Sequence, residues 1–264
     1  MILSKIIENK RKEVNALYSK KPLDELKKEL NNSNLPVGLS LKAALSKAKP
    51  HQIGLIAEVK RSSPSKGVIR EDFDPVMIAE IYQQSGANAL SVLTDERFFG
   101  GKLAYIPAIK KVTSIPILRK EFIIDEYQVY ESKLAGADAI LLIADILEED
   151  EAIKFIDLAH SLGMEVLMEV HTEADMLKVK NLEYDVIGIN NRNLNDFKVD
   201  LEVTSRLIPH LDKEKIIVSE SGIKNYNDVM YLKSLGVNGV LIGETFMKVR
   251  DIGTKVKEVM GFAH

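Results

Sequence analysis

Apolar positions along the chain fall into two textures. Near the start, Ile2, Leu3, Ile6, Ile7, Val14 and Leu17 recur at helical spacing and make one apolar stripe. Asn31-Asn32-Ser33-Asn34-Leu35-Pro36 then interrupts the pattern, because these residues favour turns over helix. A short helical piece over 41–47 follows and ends near Pro50. Residues 1–50 thus offer an amphipathic face but no core of their own, and are expected to pack as a helical extension on the rest.

From Gly54 onward, short apolar runs alternate with longer helical patterns. The runs at 55–60, 89–93, 115–120, 139–143, 165–169, 186–190, 216–220 and 239–242 predict eight strands. Each gap has room for a crossover helix, as parallel strands require. A weak repeat supports the same division: Ser85-Gly86-Ala87-Asn88, Ala135-Gly136-Ala137-Asp138 and Leu235-Gly236-Val237-Asn238 each precede a strand, and Leu162-Gly163-Met164 does so before the fifth. In each, Gly is placed to stop a helix before a short turn feeds the strand. Near-continuous apolar strands separated by helices imply a parallel sheet covered by helices. Eight units, with no Gly-x-Gly-x-x-Gly after the first strand, favour a closed (β/α)8 barrel, a TIM barrel of the α/β class over 54–260, within a single domain spanning 1–264.

Composition narrows the function. At 264 residues, with 45% hydrophobic and 28% charged positions, the chain has an ordinary globular make-up. A formal net charge of −3 provides no global field for nucleic acid or anionic lipid. The absence of Cys excludes disulfides, thiolate metal sites and a Cys nucleophile. Charged residues interrupt the first helix, so no secretory leader is expected, and no apolar run is long enough for a membrane span. A cytoplasmic protein is the resulting expectation. The five histidines show no metal-ligand spacing and are assigned no chemistry.

A barrel of this kind works at the C-terminal ends of its strands. There the chain places Glu58 and Lys60, Lys120, Glu169, Asn190 and Arg192, Glu220, and Glu244. Closing the barrel brings Glu58, Lys60, Lys120, Glu169, Asn190 and Glu220 around one mouth, where gathered charges cost stability unless a ligand or counter-charges compensate. The turns Glu220-Ser221-Gly222-Ile223 and Ile242-Gly243-Glu244-Thr245 place small residues where backbone N–H groups can approach a phosphate. The Glu244 carboxylate would have to point away from it. Arg61-Ser62-Ser63-Pro64-Ser65-Lys66-Gly67 could close over an anionic substrate, and Phe98-Phe99-Gly100-Gly101 suggests a wall for a planar ring.

These residues carry a family resemblance. Ala57-Glu58-Val59-Lys60-Arg61-Ser62-Ser63-Pro64-Ser65 resembles the signature of indole-3-glycerol-phosphate synthases. So do Leu118-Arg119-Lys120-Glu121-Phe122, Met168-Glu169-Val170, Gly188-Ile189-Asn190-Asn191-Arg192 and Ser219-Glu220-Ser221-Gly222-Ile223. All five fall in family order, and the match covers about residues 1 to 260. The resemblance implies ring closure of 1-(2-carboxyphenylamino)-1-deoxyribulose 5-phosphate to indole-3-glycerol phosphate, with loss of CO2 and water, in tryptophan biosynthesis. It implies Lys120 as the acid that protonates the ketone oxygen and Glu169 as general base. Lys60 matches a residue that binds anionic groups and is placed to protonate the leaving hydroxyl. Which lysine delivers which proton is left open. Glu58 and Asn190 match positioning residues. Ser63, Arg192 and Glu220 would contact the substrate, and Phe99, Phe122, Leu141 and Leu194 would line the slot for its ring. Ser221, Gly222, Gly243 and the Glu244 amide would hold the phosphate, with Lys60. Glu121 departs from the family pattern, which more often has Asp. No metal or organic cofactor is implied; the only partner implied is the phosphorylated substrate, and a monomer or weak homodimer is expected. Two other readings stay open: another phosphate-binding barrel such as phosphoribosylanthranilate isomerase, which lacks the Glu-x-Lys…Ser-Pro-Ser opening, and a non-catalytic barrel that binds a phosphorylated metabolite.

Overall fold

The structure, a computed structural model, describes residues 2–46, 52–193, 197–212 and 214–262. Three helices come first: α1 (Ile2–Lys20), α2 (Leu23–Asn32) and α3 (Leu41–Ser46). The stripe expected on α1 is the face it buries, through Leu3, Ile6 and Val14. One polar residue, Lys10, is buried with them. Helix α2 gives way at Ser33, whose backbone is extended, within the predicted break. The expected end of the extension near Pro50 lies outside the described residues.

Eight strands follow: β1 (Gly54–Val59), β2 (Ala89–Leu93), β3 (Ile117–Lys120), β4 (Ala139–Ile143), β5 (Glu165–Val170), β6 (Val186–Asn190), β7 (Ile216–Glu220) and β8 (Gly239–Ile242). Each pairs in parallel with its sequence neighbour, and β8 returns to β1 to close the barrel. β3 starts at Ile117 rather than Ile115, because Pro116 has no N–H to give to the ladder. The loop after β1 folds into a small antiparallel hairpin, Ser62–Ser63 against Gly67–Val68, which the hydrophobic pattern does not announce.

The strands read as unbroken apolar runs because both faces are covered. One core lies between strands and helices and includes Leu55, Ala57, Val59 and Ile140; a second fills the barrel with Ile56, Leu118, Leu167, Val218 and Leu241. Leu41 and Leu45 of α3 belong to this inner core. A Cβ on Gly54 or Gly239, the first residues of β1 and β8, would lie 2.8 or 3.1 Å from the Leu45 side chain. Helix α3 therefore closes the N-terminal end of the barrel.

The repeat has a double physical meaning. Gly86, Gly136, Gly163 and Gly236 all take positive φ, and the next residue's N–H returns to a helix carbonyl: Ala87 to Tyr82, Ala137 to Ser132, Met164 to Ala159, Val237 to Leu232. That is the helix stop expected of Gly beyond a C-cap. In three of these segments the Asn or Asp just before the next strand accepts a backbone N–H from the preceding strand: Asn88 from Leu55, Asp138 from Ile117 and Asn238 from Ile217; Asp185, which no such Gly precedes, accepts from Val166 in the same way. One short segment ends a helix and sets the register of two strands.

Candidate active site

The C-terminal strand ends open into a cavity of about 710 Å³. It is lined by every sequence-predicted site residue within the described part of the chain: Glu58, Lys60, Ser63, Phe99, Lys120, Phe122, Leu141, Glu169, Asn190, Arg192, Glu220, Ser221, Gly222, Gly243 and Glu244. Leu194 lies outside the described residues.

At its floor, Lys120 ends β3 and donates to two carboxylates, Glu169 Oε2 and Glu220 Oε2, both at 2.6 Å. Asn190 Nδ2 donates to the other oxygen of Glu169 at 3.1 Å. On β1, Glu58 Oε2 pairs with Lys60 Nζ at 2.5 Å. These groups are almost wholly out of water, so their charges fix one another. Burial would lower the Lys120 pKa, but Glu169, Glu220 and Glu58 outweigh it and hold the ammonium protonated. Burial would raise Glu169, yet Lys120 and His171 keep it well below the usual carboxylate range. Glu220 goes the other way. Burial, with Glu169 and Glu58 as like charges, pushes it up to about 7 despite Lys120. One lysine between two buried carboxylates keeps one ionised and leaves the other close to neutral.

Glycines make the room these side chains need. A Cβ on Gly188 would sit 2.2 Å from Glu220 Oε1, and one on Gly243 would sit 2.5 Å from Glu58 Oε2. Both positions therefore admit no larger residue while the glutamates keep their places.

The apolar wall is supplied by Phe99 and Phe122, whose rings lie 6.0 Å apart at 37°, with Leu141 below them. Phe99 ends a short helix, Glu96–Phe99, capped by Asp95, whose side chain accepts from Phe98 N. Phe98 packs against the inner core near α1 and does not line the cavity. Gly101 is needed here too, since a Cβ would lie 2.3 Å from the Leu93 carbonyl oxygen.

At the opposite rim the turn after β7 carries Ser221 and Gly222, both at positive φ (68° and 84°). The turn after β8 leads through Gly243 into a short helix, Glu244–Met247, and Thr245 Oγ1 ties the two turns by donating to Ile223 O at 2.6 Å. The Glu244 carboxylate accepts from Arg192 at 3.1 Å and from Lys248 at 2.5 Å. Lys60, Arg192, Lys224 and Lys248 bring positive charge to this side of the cavity.

Glu121, where the resemblance leads one to expect Asp, is held through both carboxylate oxygens. Its Oε1 accepts from its neighbour's backbone, Phe122 N, at 2.8 Å and from Lys10 at 2.9 Å, while Oε2 accepts from Thr94 at 2.8 Å. Sequence reasoning missed Lys10 and Lys248, although Lys10 stands within the apolar stripe of α1 and Lys248 one turn after Glu244. It also assigned nothing to His171, whose Nε2 lies 3.3 Å from Glu169 Oε1. Among the described residues, no group of three or more His, Asp or Glu is arranged to hold a metal ion, and no helix is long and apolar enough to cross a membrane.

Similarity to solved structures at low identity extends to the fold. The N-acetylmannosamine-6-phosphate 2-epimerase of Clostridium perfringens matches with a TM-score of 0.59 at 17% identity, covering 81% of this chain and 93% of its own. A chain of the tryptophan synthase complex of Pyrococcus furiosus matches with a TM-score of 0.59 at 15% identity, covering 80% and 98%. Sequence similarity goes much further. The indole-3-glycerol phosphate synthase of Caldanaerobacter subterraneus subsp. tengcongensis is 50% identical over 263 residues, 99% of this chain and 100% of the relative. That of Clostridium acetobutylicum is 47% identical over 251 residues, 95% and 94% of the two chains. The family model described as indole-3-glycerol phosphate synthase matches residues 3–259, and with this coverage the chain belongs to the indole-3-glycerol phosphate synthase family.

Proposed function

We propose that Lys120 and Glu169 carry the acid and base steps of the reaction that defines this family. The enzyme converts 1-(2-carboxyphenylamino)-1-deoxyribulose 5-phosphate to indole-3-glycerol phosphate, CO2 and water. The observation that carries the assignment is the buried Lys120 ammonium, 2.6 Å from Glu169 and from Glu220, at the floor of a cavity with an apolar wall on one side and basic residues on the other.

The substrate's aryl ring fits the slot of Phe99, Phe122 and Leu141, and Leu194 joins it through the family resemblance. Its phosphate takes the rim of Ser221, Gly222, Gly243 and the Glu244 N–H, where loop backbone and a helix start favour an anion. Lys60 adds its charge there. The glutamate's carboxylate, held by Arg192 and Lys248, stays off that position. Between these ends, the ring carbon that bears the carboxylate attacks the ketone, and Lys120 gives a proton to the developing alkoxide. Departure of CO2 restores the aromatic ring. Glu169, kept ionised, takes the proton in the dehydration, while Lys60 protonates the leaving hydroxyl. Glu58 and Asn190 hold Lys60 and Glu169, and Ser63, Arg192 and Glu220 contact the sugar portion. We also take the enzyme to be a monomer or weak homodimer working in the cytoplasm.

Without Trp in the chain, indole emission on adding the substrate reports product directly over a Tyr background. Lys120→Ala is expected to keep the fold and bind substrate, at a cost in melting temperature because Glu169 and Glu220 lose their counter-charge, while turnover falls by about 10²–10⁴, the usual worth of a positioned acid. Normal turnover in that variant would remove Lys120 from the acid's role.

A further inference from the structure

His171 follows β5 directly, two positions after Glu169 and on the same side of the extended chain. Its place is fixed from outside the cavity: its backbone N–H donates to Asp175 Oδ2 at 2.9 Å, within the capping box that starts the helix Glu173–Val179. The imidazole is 11% exposed and lies with Nε2 at 3.3 Å from Glu169 Oε1. Neither ring nitrogen completes a hydrogen bond, and the residue does not line the cavity. A buried imidazole left unsatisfied is costly, and this one stands behind the carboxylate that serves as base.

Lys120 holds the other oxygen of Glu169. When Lys120 turns to the substrate's ketone, that oxygen loses its charged partner and the carboxylate keeps the neutral Asn190 amide, at 3.1 Å from Oε1, as its donor. We propose that His171 is a positioning residue that takes over the Glu169 carboxylate through Nε2–H while Lys120 is engaged with substrate, and so sets both the orientation and the strength of the base. The inference rests on Glu169 acting as base.

The charged groups around the ring define a pH window. Glu169 on β5, Asp175 on the following helix and Glu220 on β7 outweigh burial, which alone would lower the imidazole pKa, and hold it above the ordinary value; the Lys120 ammonium of β3 lies beyond Glu169. Below that raised pKa the ring is an imidazolium beside Glu169. As pH rises through it, the positive charge leaves and the carboxylate becomes a stronger base, so single-turnover rates should rise across this window.

The test combines histidine NMR titration of the intact enzyme with single-turnover indole fluorescence. The His171 signal, identified by its loss in His171→Gln, should titrate above the ordinary His range, and its midpoint should fall in Glu169→Gln. His171→Leu should lower the rate about tenfold or more with KM changed less than about twofold. His171→Gln, which keeps an N–H at similar reach, should restore most of the rate and lose the pH step. An imidazole titration unmoved by Glu169→Gln, a pH step that persists in His171→Gln, or wild-type turnover in His171→Leu would each overturn the proposal. If His171→Leu fails to fold, the titration and the His171→Gln profile still decide. Turnover surviving in Glu169→Gln would refute the base assignment itself, which the imidazole titration does not depend on.

Discussion

Glu220 has the least favourable surroundings of the buried acids. It is 1% exposed, shares Lys120 with a second carboxylate, and leaves Oε1 without a hydrogen-bond partner. Its pKa of about 7 lies above the unfolded value, so the folded state binds the extra proton. The stability tied to it is complete below the unfolded pKa and is lost as pH rises through 7. Glu220→Gln mimics the protonated acid, and its melting temperature is expected to exceed that of the parent at pH 8 by an amount worth a few kcal/mol. Near pH 5 the difference should shrink, and turnover should fall at every pH if Glu220 contacts substrate as proposed. A variant less stable than the parent at pH 8 would mean that the ion pair with Lys120 outweighs the burial of charge. At this scale the sequence was uneven as a guide. Glu58, Lys120 and Glu169 were legible because strand ends point into the mouth of a barrel. Gly188 was not, since its role is the space it leaves for a side chain on the neighbouring strand, and His171 was not, since a lone imidazole has meaning only beside the group it touches.

Among the elements, α1 does more than cover apolar surface. Lys10 Nζ lies 3.0 Å from Asp95, 2.9 Å from Glu121 and 2.6 Å from Glu13, and so fastens the helix to the loops that carry Phe99 and follow Lys120. Arg119 approaches Glu121 only to 3.8 Å. Lys10→Met should leave Asp95 and Glu121 short of a counter-charge and cost about 3–5 kcal/mol in denaturant unfolding. Asp95 is already held above its ordinary pKa, by burial first and despite Lys10. A carboxyl so raised loses stability as pH rises, so the deficit should be larger at pH 8 than at pH 5. An equal deficit at both would reduce Lys10 to packing. The eight strands were readable to within two residues, because runs buried on both faces and turns opened by Gly leave strong local signals. The hairpin after β1 left none: its two-residue strands are too short to show alternation, and Val68 at its edge is exposed.

The molecule as a whole carries a net charge of −3, yet Lys60, Lys66, Lys120, Arg192, Lys224 and Lys248 all line the one cavity. Anion binding is therefore a local property, and ligand should stabilise the entire barrel by mass action. Indole-3-glycerol phosphate at 100 times its dissociation constant is expected to add about 2.7 kcal/mol, read as a rise in melting temperature. Gly243→Ala, whose Cβ collides with Glu58, should abolish that rise, and a full rise in this variant would move the phosphate elsewhere. The closure of the far end by Leu41 and Leu45 bears on traffic as well as packing. Among the described residues, α3 and the inner core fill the far end of the barrel, so the bulky product is expected to leave by the route its precursor takes in. Arrival and departure then exclude one another, and product should inhibit competitively with substrate in steady-state kinetics.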